Sequence, residues 1–209
     1  MIALSRKELE IIDLFRKDLF RKETIRGLMK SISKSSYPWV FNAVKKFIKE
    51  RILLSEKKGK STICSINLDS LEALYYLSLL DYFEALNARH VPFDQVKELI
   101  DHTPSAYFSF IVTGSYAEKK QTKESDVDIT VIIGDEKNKK RVYNYLFNKG
   151  DLMIPKVHPF VFTKDEFLQM LLDKEENFGK LLYRKRLIYF GAENYYWIIK
   201  EAILHGFRG

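Results

Sequence analysis

The sequence is poor in the residues that would define a disulfide scaffold, a fibrous protein or a membrane protein. Its 209 residues include one cysteine, two tryptophans, five prolines and nine glycines. The lone Cys64 excludes an internal disulfide and any cysteine-cluster zinc site, and it reads as a small buried hydrophobe. No apolar run reaches the roughly 18 residues of a membrane span. Arg6, Lys7, Glu8 and Glu10 interrupt the first apolar residues, so no signal-peptide pattern opens the chain. The expectation is a soluble, cytoplasmic protein with no membrane partner. No internal repeat or low-complexity segment is present either. What remains is ordinary globular composition, 46% apolar and 30% charged, in a chain long enough for one large or two small domains.

Charge is unevenly spread along the chain. Residues 1–68 carry 16 Lys/Arg against 7 Asp/Glu, a net +9, while the remaining 141 carry 19 against 21, a net −2. All the excess positive charge therefore lies in the first third, as in a nucleic-acid-binding module joined to a near-neutral domain. The other reading is a solvated basic surface without a partner.

The same first third has a recognisable order of elements. Ser5 with Glu8 three residues on has capping-box chemistry, which predicts a helix over Arg6 to Leu14. A second helix is predicted over Glu23 to Ser31. Ser36 and Pro38 suit the start of a third, carrying Val40, Val44, Phe47 and Ile48 and ending near Arg51. Two short strands, 52–54 and 62–66, then flank a basic tip at 55–61. Three helices and a basic hairpin resemble a winged helix-turn-helix domain. That resemblance implies DNA as partner, with the third helix in the major groove and Lys34, Ser35, Ser36, Asn42, Lys45 and Lys46 as candidate contacts. Lys57, Lys58 and Lys60 would approach phosphates from the wing. A plain protein-protein module is the alternative use of such a domain.

The expected division is 1–68 for this module, 69–90 for a connecting helix, and 91–209 for a second domain. The connecting helix has Leu71, Leu74, Tyr75, Leu77, Leu80 and Phe83 around more than one face. Burial on two sides is expected of it, as a domain connection or a homodimer seam.

Within the second domain one stretch concentrates chemistry. Residues 108–112 read as a strand, Gly114 and Ser115 as a turn, and Val127 to Ile133 as a buried strand. Asp126 and Asp128 open that second strand two residues apart and should project to one face. Two carboxylates beginning an apolar strand call for a cation between them, and a divalent metal suits. A glycine after a strand lets backbone N–H groups approach a phosphate, and Ser115 adds a hydroxyl.

These residues, Gly-Ser, ten others, then Asp-x-Asp, resemble the signature of the polymerase-beta-like nucleotidyltransferases, and most closely the minimal members found in prokaryotes. The resemblance covers roughly residues 90–165. It implies an α/β (α+β) domain with a small mixed sheet and C-terminal helices. It also implies transfer of a nucleoside monophosphate from a nucleoside triphosphate to an acceptor, with Mg²⁺ or Mn²⁺ at Asp126 and Asp128. Gly114 and Ser115 would hold the β- and γ-phosphates, and Ser125 would orient the start of the strand beside the nucleotide. Active members commonly carry a third carboxylate on the strand after the next helix. Here the equivalent position is His158, a candidate ligand or base. Glu118-Lys119 stands where Arg-Gly often follows the Gly-Ser turn. Related minimal enzymes are often paired with an all-helical toxin-like protein in toxin-antitoxin systems, which makes a helical partner protein a candidate acceptor. The alternative is a DNA-binding regulator or antitoxin whose nucleotide-binding domain has weak or no catalysis.

Overall fold

The computed structural model describes residues 2–32 and 36–209, and the chain divides into two compact units, Met1–Leu80 and Asp81–Gly209.

In the first unit, α1 (Arg6–Lys17) starts at the capping box foreseen from sequence. The Ser5 hydroxyl accepts from the Glu8 N–H, and Glu8 Oε2 accepts from the Ser5 N–H at 2.8 Å. The expected helix over Glu23 to Ser31 is shorter than predicted. Glu23 and Thr24 form a two-residue strand, β1 (Glu23–Thr24), and Thr24 then caps α2 (Ile25–Ser31), its hydroxyl accepting from Gly27 N–H at 3.0 Å. α3 (Tyr37–Lys49) has Pro38 in its first turn, and Ser36 stands at its N-cap position without a side-chain capping bond.

The hairpin also differs from expectation. β2 (Leu53–Lys58) and β3 (Ser61–Ile66) pair in register up to Lys58 with Ser61, so only Gly59 and Lys60 form the turn. Lys57 and Lys58 are thus strand residues. After Leu53 every β2 residue is exposed, so the run lacks the apolar alternation that marks a strand in sequence. The sheet runs β1-β3-β2, antiparallel throughout. Ile11, Phe15, Leu28, Val40, Val44, Phe47, Ile52 and Cys64 are fully buried beneath it and form this unit's core.

α4 (Leu71–Leu86) carries the boundary between units, which falls between Leu80 and Asp81. Ser70 Oγ accepts from Ala73 N–H at its start. Ala73, Leu74, Tyr76, Leu77, Asp81 and Ala85 are buried, whereas Leu71, Tyr75, Leu79, Phe83 and Leu86 are exposed.

The second unit continues with α5 (Phe93–His102), β4 (Phe108–Val112), α6 (Gly114–Ala117), β5 (Val127–Ile133) and α7 (Glu136–Gly150). It is completed by β6 (Val157–Thr163), α8 (Lys164–Leu172), α9 (Phe178–Arg184), β7 (Leu187–Phe190) and α10 (Ala192–Leu204). Its four-stranded sheet has the order β6-β5-β4-β7. β4 is antiparallel to β5 and β7, while β5 and β6 are parallel and joined through α7, which gives a mixed sheet in an α/β domain. Pro159 lies on β6, an edge strand, where the missing N–H costs no ladder bond. Alternation divides the strands. Val127, Ile129, Val131 and Ile133 join Phe110, Val112, Val142, Leu146, Val96 and Leu99 in one core. Asp128 and its β6 partner His158 therefore lie on the opposite face.

Close contacts hold the C-terminal helix to this sheet. Gly191 has φ +68°, and a Cβ there would meet the Phe108 carbonyl oxygen at 2.0 Å, so the chain enters α10 in direct contact with β4. Just before β7, the Arg186 guanidinium lies 3.8 Å from the Asp81 carboxylate and over the Tyr195 ring at 4.8 Å, and the Tyr196 hydroxyl donates to Asp81 at 2.5 Å. Burial alone would lower the Arg186 pKa. Tyr195 and Asp81 reverse that and hold it above its ordinary value. Among the described residues no helix is long and apolar enough to cross a membrane.

Candidate functional site

The site is built where β4 hands over to β5. The Thr113 N–H donates to the Asp128 carbonyl at 2.9 Å, extending the β4–β5 ladder to the point where the chain turns away. Gly114 follows with φ +62°. A Cβ at this position would lie 2.0 Å from Asp128 Oδ2, so the carboxylate rests directly on the glycine backbone. Only glycine satisfies both the left-handed conformation and that clearance. The expected open turn is one turn of helix, α6. It is anchored by Tyr116, 6% exposed, whose carbonyl lies 2.8 Å from His90 Nε2. Ser115 is half-buried within it.

Asp128 is half-buried, its side chain 30% exposed, and its Oδ1 lies 3.3 Å from His158 Nδ1. The pairing follows from register, because parallel β5 and β6 set Asp128 against His158. Asp126 precedes the strand, which begins at Val127, and is exposed. Its charge reaches Lys156, whose pKa is raised first by a hydrogen bond to Asp151 and further by the field of Asp126. The Ser125 hydroxyl accepts from Thr122 N–H at 2.9 Å and so closes the 122–125 loop ahead of Asp126.

Among the described residues no group of three His, Cys, Asp or Glu side chains could cage a metal unaided. Mg²⁺ does not require such a cage, being held typically by one or two carboxylates together with substrate phosphates and water. A half-buried Asp128 carboxylate pressed against Gly114, with Asp126 two residues ahead, fits an ion that arrives with a triphosphate.

Side chains that sequence reading did not single out complete the surroundings. A cavity of about 190 Å³ opens beside Thr113, Gly114 and Asp128, walled by Phe160, Phe178, Leu181 and Leu182 and rimmed by Glu118 and Lys185. Alternation along β6 could have placed Phe160 on the face of His158. Phe178 and Lys185 lie on or beside α9 and become neighbours only through the tertiary fold.

In the first unit Ser36, Asn42 and Lys45 are exposed, with the Lys45 ammonium 4.8 Å over the Phe41 ring. Lys46 is half-buried and bonds Glu8 Oε1 at 2.8 Å and the Ala3 carbonyl at 3.3 Å. Lys57, Lys58 and Lys60 are exposed along β2 and its turn. Lys34 and Ser35 lie outside the described residues. A polar cavity of about 480 Å³ joins Arg26, Tyr37 and Lys60 with the hydroxyls of Thr24, Ser61 and Thr62, and Arg26 had no distinguishing sequence signal.

The mixed sheet of this α/β domain sets a Gly-Ser helix start against a carboxylate of the adjacent strand. Residues 95–201, just over half of the chain, match the family model of the nucleotidyltransferase domain, and the chain belongs to that family. No curated protein matches the chain.

Proposed function

We propose that the chain transfers a nucleoside monophosphate from a Mg²⁺- or Mn²⁺-bound nucleoside triphosphate to an acceptor hydroxyl, while a winged helix-turn-helix at its N-terminus holds DNA. The observation that carries the enzymatic part is the Gly114–Asp128–His158 constellation within a nucleotidyltransferase-family domain. The acceptor oxygen forms a bond to the α-phosphorus, the bond from that phosphorus to the β-phosphate oxygen breaks, and pyrophosphate leaves. Asp126 and Asp128 would hold the metal, which supplies charge neutralisation at the α-phosphate and the leaving group. Gly114 and Ser115 present backbone N–H groups and a hydroxyl to the outer phosphates. His158, its Nδ1 3.3 Å from Asp128 Oδ1, would be the group that takes the proton of the acceptor hydroxyl.

The test supplies purified protein with labelled ATP, GTP, CTP or UTP, Mg²⁺ or Mn²⁺, and candidate acceptors, a helical partner protein among them. Label transfer that disappears in Asp126→Ala and Asp128→Ala is expected. Nucleotide binding without transfer to any acceptor would overturn the enzymatic reading. It would favour a second one, a DNA-binding regulator that senses nucleotide, for which the missing third carboxylate speaks.

Support for the DNA part is the order helix, strand, two helices and hairpin around the sheet β1-β3-β2, with the net +9 of residues 1–68. Arg26, Lys45, Lys57, Lys58 and Lys60 are the contacts this reading favours. Binding to duplex DNA should weaken steeply with added salt, and replacing Lys57, Lys58 and Lys60 together by alanine should flatten that salt slope by up to about three phosphate contacts. Salt-insensitive binding, or none, would refute it.

A further inference from the structure

We propose that the cavity beside Gly114 and Asp128 takes the nucleobase of the triphosphate, stacked on Phe178 and Phe160, with Glu118 and Lys185 reading its edge. The inference rests on the nucleotidyltransferase reading and gives that site a base subsite.

Position is the first argument. Phe160 follows His158 by two residues on β6, so both side chains share the sheet face of Asp128. α9 lays Phe178 against this edge strand, its ring centroid 4.9 Å from Phe160 and 5.6 Å from Phe162. The aromatic wall therefore begins where the catalytic carboxylate ends.

Size is the second. About 190 Å³ is below the roughly 300–1,000 Å³ that drug-sized ligands occupy. One ring system fits, and a whole nucleotide does not, so the phosphates remain outside along Gly114 and Ser115.

The rim is the third. A base edge carries N–H donors and N or O acceptors, and Glu118 with Lys185 offers an acceptor and donors in turn. Hydrogen bonding to Lys120, and beyond it the charge of Lys185, holds Glu118 below the usual carboxylate range, so it is present as an acceptor. Lys120 is 74% exposed, and a solvent-screened pair of that kind exchanges for a ligand at little cost.

Calorimetry on the full chain with Mg²⁺ would compare the four nucleoside triphosphates with inorganic tripolyphosphate. Leu181→Trp fills the cavity from a side chain that is 47% exposed, so the fold should tolerate it. This variant and Phe178→Ala are expected to weaken the nucleotides about tenfold, within the range of one base–aromatic stack, and to leave tripolyphosphate unchanged. Lys185→Met should change the ranking among the four nucleotides. Unchanged nucleotide affinity in Leu181→Trp would overturn the base site, as would equal losses for nucleotide and tripolyphosphate in any of these variants. Wild-type protein that binds neither ligand would instead sink the underlying nucleotidyltransferase reading along with it.

Discussion

Gly114 is the residue at which backbone geometry and chemistry are least separable. Gly114→Ala would force a Cβ to within 2.0 Å of Asp128 Oδ2 at φ +62°. The carboxylate must then move, with an expected loss of more than about 1 kcal/mol in stability. Denaturant unfolding checks the stability, and calorimetry should show loss of Mg-triphosphate binding. His158 gives a sharper contrast. His158→Ala should abolish transfer with the unfolding midpoint unchanged, because the side chain is 58% exposed. His158→Asp would place a carboxylate opposite Asp128, and label transfer should persist in that variant. The signature residues were legible in the sequence because their spacing is local: Gly114 and Ser115 follow one strand directly, and Asp128 is the second residue of the next. The His158–Asp128 contact was half legible. The histidine could be placed on a strand, but only parallel register sets it 3.3 Å from the carboxylate.

At the scale of elements, helix starts were the most legible features and the hairpin the least. Ser5–Glu8 forms the capping box its spacing foretold, and Thr163 with Glu166 forms a second at the start of α8, since N-cap chemistry is contained within four residues. The start of β2 was legible at 52–54, but its extension to Lys58 was not, because its exposed polar residues carry no periodic signal. α9 and β7 gave too few residues for any period to show. At the α1 cap, burial works against ionisation of Glu8, but bonds from Lys46 and Ser5 outweigh it and hold the carboxyl below its usual 4.5. A depressed folded pKa contributes stability that is present above the unfolded value and is lost as pH falls through the folded one. Stability of the first unit should therefore decline below about pH 4.5. Glu8→Gln should remove most of that slope, as read from denaturant midpoints between pH 3 and 6. The buried Arg186–Asp81 pair makes the opposite kind of prediction. Arg186→Leu removes the guanidinium beside Asp81, which is 2% exposed, and should cost about 3–5 kcal/mol.

Across the whole molecule, the sequence supports two modules of different charge, and the folded chain divides at Leu80/Asp81, inside a helix whose composition alone gave no reason for a break there. Each unit holds one of the two tryptophans, Trp39 in the first and Trp197 in the second. Trp39→Phe and Trp197→Phe should therefore leave fluorescence signals that each follow a single unit through denaturation. Cys64 adds a third reporter. It is fully buried on β3, and burial pushes its thiol up to about 11, so neither access nor thiolate is available at neutral pH. With no other sulfhydryl in the chain, pulsed alkylation followed by intact-mass measurement would count how often the N-terminal unit opens. Protection by an added oligonucleotide would then appear as a slower clock in the unmodified protein.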